Sequence, residues 1–317
     1  MKRVVRPLIY RLQQSLQRRR QQRKVQQALR RRQPADPIFI FGLSRSGSTW
    51  LQDTIGAWHG TVSLFEPIHK KNPETIGAFT LEDWRPGQQM SADERRVLDS
   101  ILRGEILTKR ILPAGPMPDE INRFCIKLIH CNNGMPRMVH DLRPRYRPLI
   151  ILRHPCAHVA SWKRLKWTEN FGGLAGRYNG LLAAHPHLRE PVSGLSTPLD
   201  WMVGSWCLGN YVPLAIKPAN RWTVVRYESL LAEPERILGE IFATWGEAAI
   251  PAEVLGAVGR VSRTTWRKGQ PAGAVATANS WQEEISLEES RQVFEICRRF
   301  GVEVDAGGYM MKSGGIG

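Results

Sequence analysis

What this sequence lacks narrows its reading first. No apolar run approaches the roughly 18 residues that a membrane span needs, so a soluble protein is expected. The five cysteines, Cys125, Cys131, Cys156, Cys207 and Cys297, form no CxxC pair and show no His/Cys metal spacing. So sparse and odd a set argues against a disulfide framework and a secreted compartment, and reads as thiols filling core space. There is no internal repeat. Acid is missing from the first 33 residues, which hold 12 Lys and Arg. The net charge of +16 is therefore concentrated at the front, leaving only about +4 for the rest of the chain.

That basic front is a segment of its own, "MKRVVRPLIYRLQQSLQRRRQQRKVQQALRRRQPAD", residues 1–36. Val5, Leu8, Ile9, Leu12 and Leu16 recur at three- and four-residue spacing, which predicts a helix over about 7–31 with a short apolar stripe. Pro34 and Pro37 then separate it from the rest of the chain. Three uses remain open. The arm is a solvated extension, or a helix lying on an anionic membrane surface, where stripe and cations both find a use. The third is a phosphate-binding arm for nucleic acid, which is the least expected partner. It lacks the apolar core of a secretory signal, so the expected location is cytoplasmic, peripheral at the membrane surface if the arm docks there.

After the arm the hydrophobic period changes. "PIFIF" (37–41), "VSLF" (62–65), "FCIKLI" (124–129), "PLIIL" (148–152) and "RWTVV" (221–225) are short apolar runs that read as buried strands. Helical patterns fall between and after them, at 49–58, 92–103, from Pro155 onward, 201–216, 233–245 and 287–300. The alternation predicts one α/β domain over 37–317, with a mostly parallel central sheet flanked by helices. Ligands of such sheets bind beyond the carboxyl ends of the strands. There the sequence places Gly42–Thr49, Glu66, His130, Arg153 and Arg226.

The first of these segments, "FGLSRSGSTW" (41–50), is nearly a phosphate-binding loop of the form G-x-x-x-x-G-K-[ST]. Gly42, Gly47 and Thr49 fit, but Ser48 stands where the lysine belongs. An acid to hold magnesium is missing as well, because "PLIILRHP" ends in Arg153. Backbone N–H groups at a helix start still make an anion site. Arg45, inside the loop, supplies the charge that Ser48 does not. The expectation is an anionic nucleotide held by backbone and cations, with no metal required.

At this point four segments resemble the sulfotransferases that use 3′-phosphoadenosine 5′-phosphosulfate (PAPS). "SRSGSTWL" is similar to their 5′-phosphosulfate loop, and "LIILRHPCAHVASW" to their 3′-phosphate motif, an Arg followed eight residues later by Ser. "VVRYESLLAEPERIL" resembles their R-Y-E-[DS]-L segment, and "WRKGQ" their late R-K-G loop. The resemblance implies roles. Arg45 would meet the transferring sulfuryl group. Ser46, Gly47, Ser48 and Thr49 would hold the 5′-phosphate and sulfuryl oxygens. Trp50 would lie against adenine and Tyr227 near the base. Arg153 and Ser161 would bind the 3′-phosphate, over which Arg267, Lys268 and Gly269 would close. A donor ending in one sulfated phosphate suits a short Ser/Thr cradle with one arginine, and 3′,5′-ADP would leave.

The acceptor's proton needs a base. "FEPIH" (65–69) resembles the E-P segment of carbohydrate-type members, which makes Glu66 the first choice, with His69 placed to orient the acceptor. Cytosolic members use a His after K-x-H. Here Lys127 is followed by "LIH", which sets His130 one residue late as the competing base. His154 and His158 are not expected to be catalytic. The acceptor expected is a hydroxyl-bearing carbohydrate or glycolipid. Two other readings stay open: a kinase-like phosphotransferase with a degenerate loop, and a non-catalytic nucleotide-binding or membrane-surface protein.

Overall fold

Five strands build the centre: β1 (Ile38–Gly42), β2 (Thr61–Phe65), β3 (Arg123–Ile129), β4 (Leu149–Leu152) and β5 (Thr223–Arg226). They pair in the order β2-β3-β1-β4-β5, and every pairing is parallel. Parallel strands are buried on both faces, which explains their nearly unbroken apolar sequences. The pleat sorts them. Ile38 and Ile40 join one core layer, while Phe39 and Phe41 join the other. The computed structural model describes residues 16, 20, 23–27, 37–69, 72, 75, 89–108, 111–112, 117–167, 171–215, 221–260, 280–305 and 308–311.

Helices cover both faces. They include α1 (Ser48–Ile55), α2 (Ala92–Leu102), α3 (Met135–Leu142), α4 (Pro155–Arg164), α5 (Pro198–Gly209), α6 (Tyr227–Ala232), α7 (Pro234–Thr244) and α8 (Leu287–Arg299). A small antiparallel hairpin, β6 (Val302–Asp305) and β7 (Gly308–Met311), follows α8. The central sheet and its flanking helices agree with the sequence expectation. The helix expected over 201–216 differs: it begins at Pro198, behind a Thr197–Asp200 capping box, and breaks at Asn210 before a short turn of helix at Tyr211–Ala215. α3 had no counterpart in the sequence reading. All five cysteines are free and buried. No helix among the described residues is long and apolar enough to cross a membrane.

Strand order fixes where a ligand would sit. β2 and β3 lie on one side of β1, and β4 and β5 on the other, so the crevice of the doubly wound sheet opens at the carboxyl end of β1. The basic arm meets the domain at the other end. Among its described residues, 16, 20 and 23–27 are helical. Val25 is fully buried in the main core, and Lys24 pairs with Asp119 at 3.2 Å, just before β3.

Candidate active site

At the carboxyl end of β1 the chain turns through Leu43–Gly47 and enters α1. Ser46 N donates to the Leu43 carbonyl, and Leu51 N to the Gly47 carbonyl. Gly47 has φ 93°, and a Cβ there would stand 2.2 Å from the Tyr227 ring. Only glycine meets both demands. The loop is therefore pressed against Tyr227, the first residue of α6.

Two arginines converge on it. Arg153, just past β4, donates from Nη1 to the Arg45 carbonyl at 2.9 Å, and its guanidinium lies 5.0 Å from the Tyr227 ring centroid. Arg45 Nε donates to Ser161 Oγ on α4 at 3.0 Å. Burial, then Arg153, then Arg164 depress the Arg45 guanidinium below its ordinary range. Arg164 is itself satisfied by Glu284. Glu228, next to Tyr227, accepts from His154 N at 2.9 Å and so fixes the turn that carries Arg153. Burial raises the Glu228 carboxyl above the usual range.

A lysine reaches the loop from another element. Lys127 of β3 donates from Nζ to Thr49 Oγ1 at 2.6 Å and pairs with Glu66 Oε1 at 2.9 Å. Both side chains are buried. Glu66 Oε2 is turned to His69 Nε2 at 4.0 Å, and Asn72 Nδ2 holds the Glu66 carbonyl. One connected set of polar groups therefore runs from the loop's threonine to the candidate base. His130, just past β3, bonds the Gly42 carbonyl through its N–H and has Nε2 2.7 Å from Ser44 Oγ.

Backbone strain marks the same places. Among the described residues, non-glycine positive φ occurs at Arg45 (70°), Glu66 (46°), His130 (58°), Arg143 and Lys166. The first three are the residues that the sequence put forward for chemistry. Such conformations cost of order 1–3 kcal/mol and cluster at functional sites.

A further sign is unsatisfied polarity. Ser46 Oγ, Arg153 Nε and both ring nitrogens of His158 are buried without a hydrogen-bond partner among the described residues. Buried polar atoms are nearly always paired, so the Ser46 Oγ and Arg153 Nε donors left open at this loop fit an anion. Ser48 and Thr49 sit in the first turn of α1, and Trp50 packs half-buried against the second core layer. Arg267, Lys268 and Gly269 lie outside the described residues. The structure thus gathers Arg45, Ser46, Gly47, Thr49, Arg153, Ser161 and Tyr227 at one edge. Lys127 and Glu228 had no role assigned from sequence. A lysine inside an apolar central strand was the available signal for the first.

No protein-family model matches the chain. No curated protein matches it either. Solved structures do. A sulfotransferase domain from the curacin biosynthetic pathway aligns with TM-score 0.45 and 15% identity, over 83% of this chain and 97% of that one. One from the Synechococcus PCC 7002 olefin synthase gives 0.44 and 17%, over 86% and 98%. Mouse sulfotransferase SULT7A1, complexed with PAP, gives 0.42 and 14%, over 83% of both chains. Likeness this distant leaves the chemistry to the residues themselves.

Proposed function

We propose that the protein is a sulfotransferase that moves a sulfuryl group from PAPS to an acceptor hydroxyl. The observation that carries this reading is the two-arginine cradle with open donors. Arg153 donates to the Arg45 carbonyl and Arg45 to Ser161 Oγ on α4, Ser46 Oγ and Arg153 Nε have no partner among the described residues, and Arg153 stands where a nucleoside-triphosphate enzyme would need an acid. The residues fit a donor with two separate anionic ends. Arg153 and Ser161 would take its 3′-phosphate; Ser46–Thr49 and Arg45 would take its 5′ end.

The donor supplies an activated sulfur–oxygen bond. Glu66 takes the acceptor's proton, and the acceptor oxygen attacks sulfur as the bond to departing 3′,5′-ADP breaks. Lys127, between Glu66 and Thr49, holds the base in register with the loop and offers positive charge where the leaving oxygen becomes negative. We read the acceptor as a carbohydrate or glycolipid, on the E-P segment alone.

The test is a melting shift with 3′,5′-ADP. At 100 times its dissociation constant it should add about 2.7 kcal/mol, with or without magnesium. Arg153→Ala should weaken it by about 1.5–3 kcal/mol by removing a charge-assisted hydrogen bond. Equal stabilisation by adenosine 5′-phosphate would reject the 3′ site, and ATP binding that needs magnesium would favour the kinase-like alternative.

A further inference from the structure

The opposite end of the sheet carries a second basic feature. A cleft of about 550 Å³ opens between the segment leading into β4 and the start of β5. Arg143, Arg145, Arg147, Arg221, His140 and Thr244 line it, and among the described residues no acid does. Its volume is that of a small-molecule site. Its Pro148 rim lies about 16 Å from Arg153, since five residue steps at about 3.3 Å each run from Pro148 along β4 to that arginine. It is therefore distinct from the donor site and does not depend on the function proposed for that site.

The backbone that carries these arginines is held in place. Arg143 ends α3 with φ 45°, its N–H bonded to the Val139 carbonyl. Arg145 lies over the Tyr146 ring at 5.4 Å, and that ring packs edge-on against Trp245. Trp245 Nε1 donates to the Arg147 carbonyl at 2.9 Å, and Thr223 N to the Pro148 carbonyl at 2.8 Å. The nearest acids are engaged elsewhere. Asp141 takes Met90 N and Arg95 on Oδ2 and lies 3.0 Å from the rim residue His140 on Oδ1, away from the four arginines of the cleft, and Glu240, one turn before Thr244, pairs with Arg236 at 2.5 Å. Three arginines on this braced segment and Arg221, facing them from the start of β5, bring four guanidinium groups to one cleft, a lining that suits an anion.

We propose that this cleft binds a small anion bearing several phosphate or sulfate groups. Arginine's planar fork meets such oxygens two at a time, and several forks around one cavity select multiple charge over a single carboxylate. The source is either a free polyphosphorylated metabolite or a polyphosphorylated lipid headgroup.

The experiment is calorimetric titration of the full chain with inositol hexakisphosphate, with the donor site saturated by 3′,5′-ADP. One site is expected, weakening with salt. Arg145→Ala/Arg221→Ala should lose about tenfold or more in affinity. Its melting temperature and 3′,5′-ADP affinity should stay unchanged, since both side chains are exposed. Should the double variant fail to fold, Arg221→Ala alone gives the same reading. Vesicles carrying phosphatidylinositol bisphosphate that compete with the probe assign a headgroup; no competition assigns a free anion. Equal affinity in wild type and variant overturns the proposal, as does vesicle binding without any binding of the soluble probe. If 3′,5′-ADP binds nowhere while the probe still titrates, only the sulfotransferase reading fails.

Discussion

Glu66 and His130 offer the reaction two bases with different attachments. Glu66 is tied through Lys127 to Thr49, and His130 to Ser44 on the flank of the loop. Glu66→Gln keeps size and some hydrogen bonding but removes the basic oxygen. Turnover at saturating donor should fall by about 10²–10⁴-fold with 3′,5′-ADP binding retained. His130→Ala should lose less; the reverse order would move the proton to His130. A third residue, His158, makes a separate expectation. It is buried beneath the site, and its pKa is lowered to about 3, first by burial, then by Arg153, His130 and Arg45. Above about pH 6.5 both folded and unfolded forms are neutral, so its contribution is complete. As pH falls from there toward 3, only the unfolded chain takes up the proton, and stability drops by up to about 1.4 kcal/mol per pH unit. Urea unfolding at pH 7 and pH 5 should therefore differ less in His158→Leu than in wild type, by roughly 2 kcal/mol. Equal differences would show that another group carries the acid sensitivity.

Between one element and the next, the turn from β1 into α1 is a tight joint. Gly47→Ala would place a methyl group in the Tyr227 ring while forcing a left-handed residue. Destabilisation of about 1–3 kcal/mol from the backbone alone is expected, plus the clash, with donor binding lost in whatever folds. Unchanged stability and 3′,5′-ADP affinity would show that the loop relaxes without cost. The same joint explains what the sequence made legible. Five buried parallel strands advertise themselves as apolar runs, and each run's end exposes a polar residue, so Arg45, Glu66, His130 and Arg153 could be picked out before any coordinates. Two helices that start at a capping box, α2 behind Ser91 and α8 behind Ser286, lie where the hydrophobic period puts them, while α5, behind Thr197, begins three residues early. α3 was missed, because Gly134, Pro136 and the proline after Arg143 read as punctuation, although proline suits a first turn. Nor could one-dimensional spacing pair Lys127 with Thr49, 78 residues apart, or tie Arg45 to Ser161, 116 apart. Those contacts come from strand order, which brings β3 and β4 to either side of β1.

On the scale of the whole molecule, positive charge is divided between the two ends of one sheet. The edge at the carboxyl end of β1 holds two partly buried arginines, Arg45 and Arg153. The opposite edge holds the arginine-lined cleft, and the chain must enter β1 there from the basic arm. Val25 and Lys24 show how the arm is attached: one buried valine in the main core and one exposed ion pair with Asp119. The valine is worth about 1.5–3 kcal/mol at most, and the exposed pair little. A chain beginning at Ala35 should therefore fold with a lowered melting temperature, keep its 3′,5′-ADP affinity, and still bind inositol hexakisphosphate in the cleft. What it should lose is association with anionic vesicles, because each cation near such a surface adds about 1 kcal/mol and the first 33 residues carry 12. Vesicle flotation of the two chains, at low and physiological salt, is the measurement. A full-length chain that ignores anionic vesicles at both salts would remove the membrane role. A folded short chain that no longer binds 3′,5′-ADP would instead make the arm part of the donor site, across the full depth of the sheet from where its described residues dock.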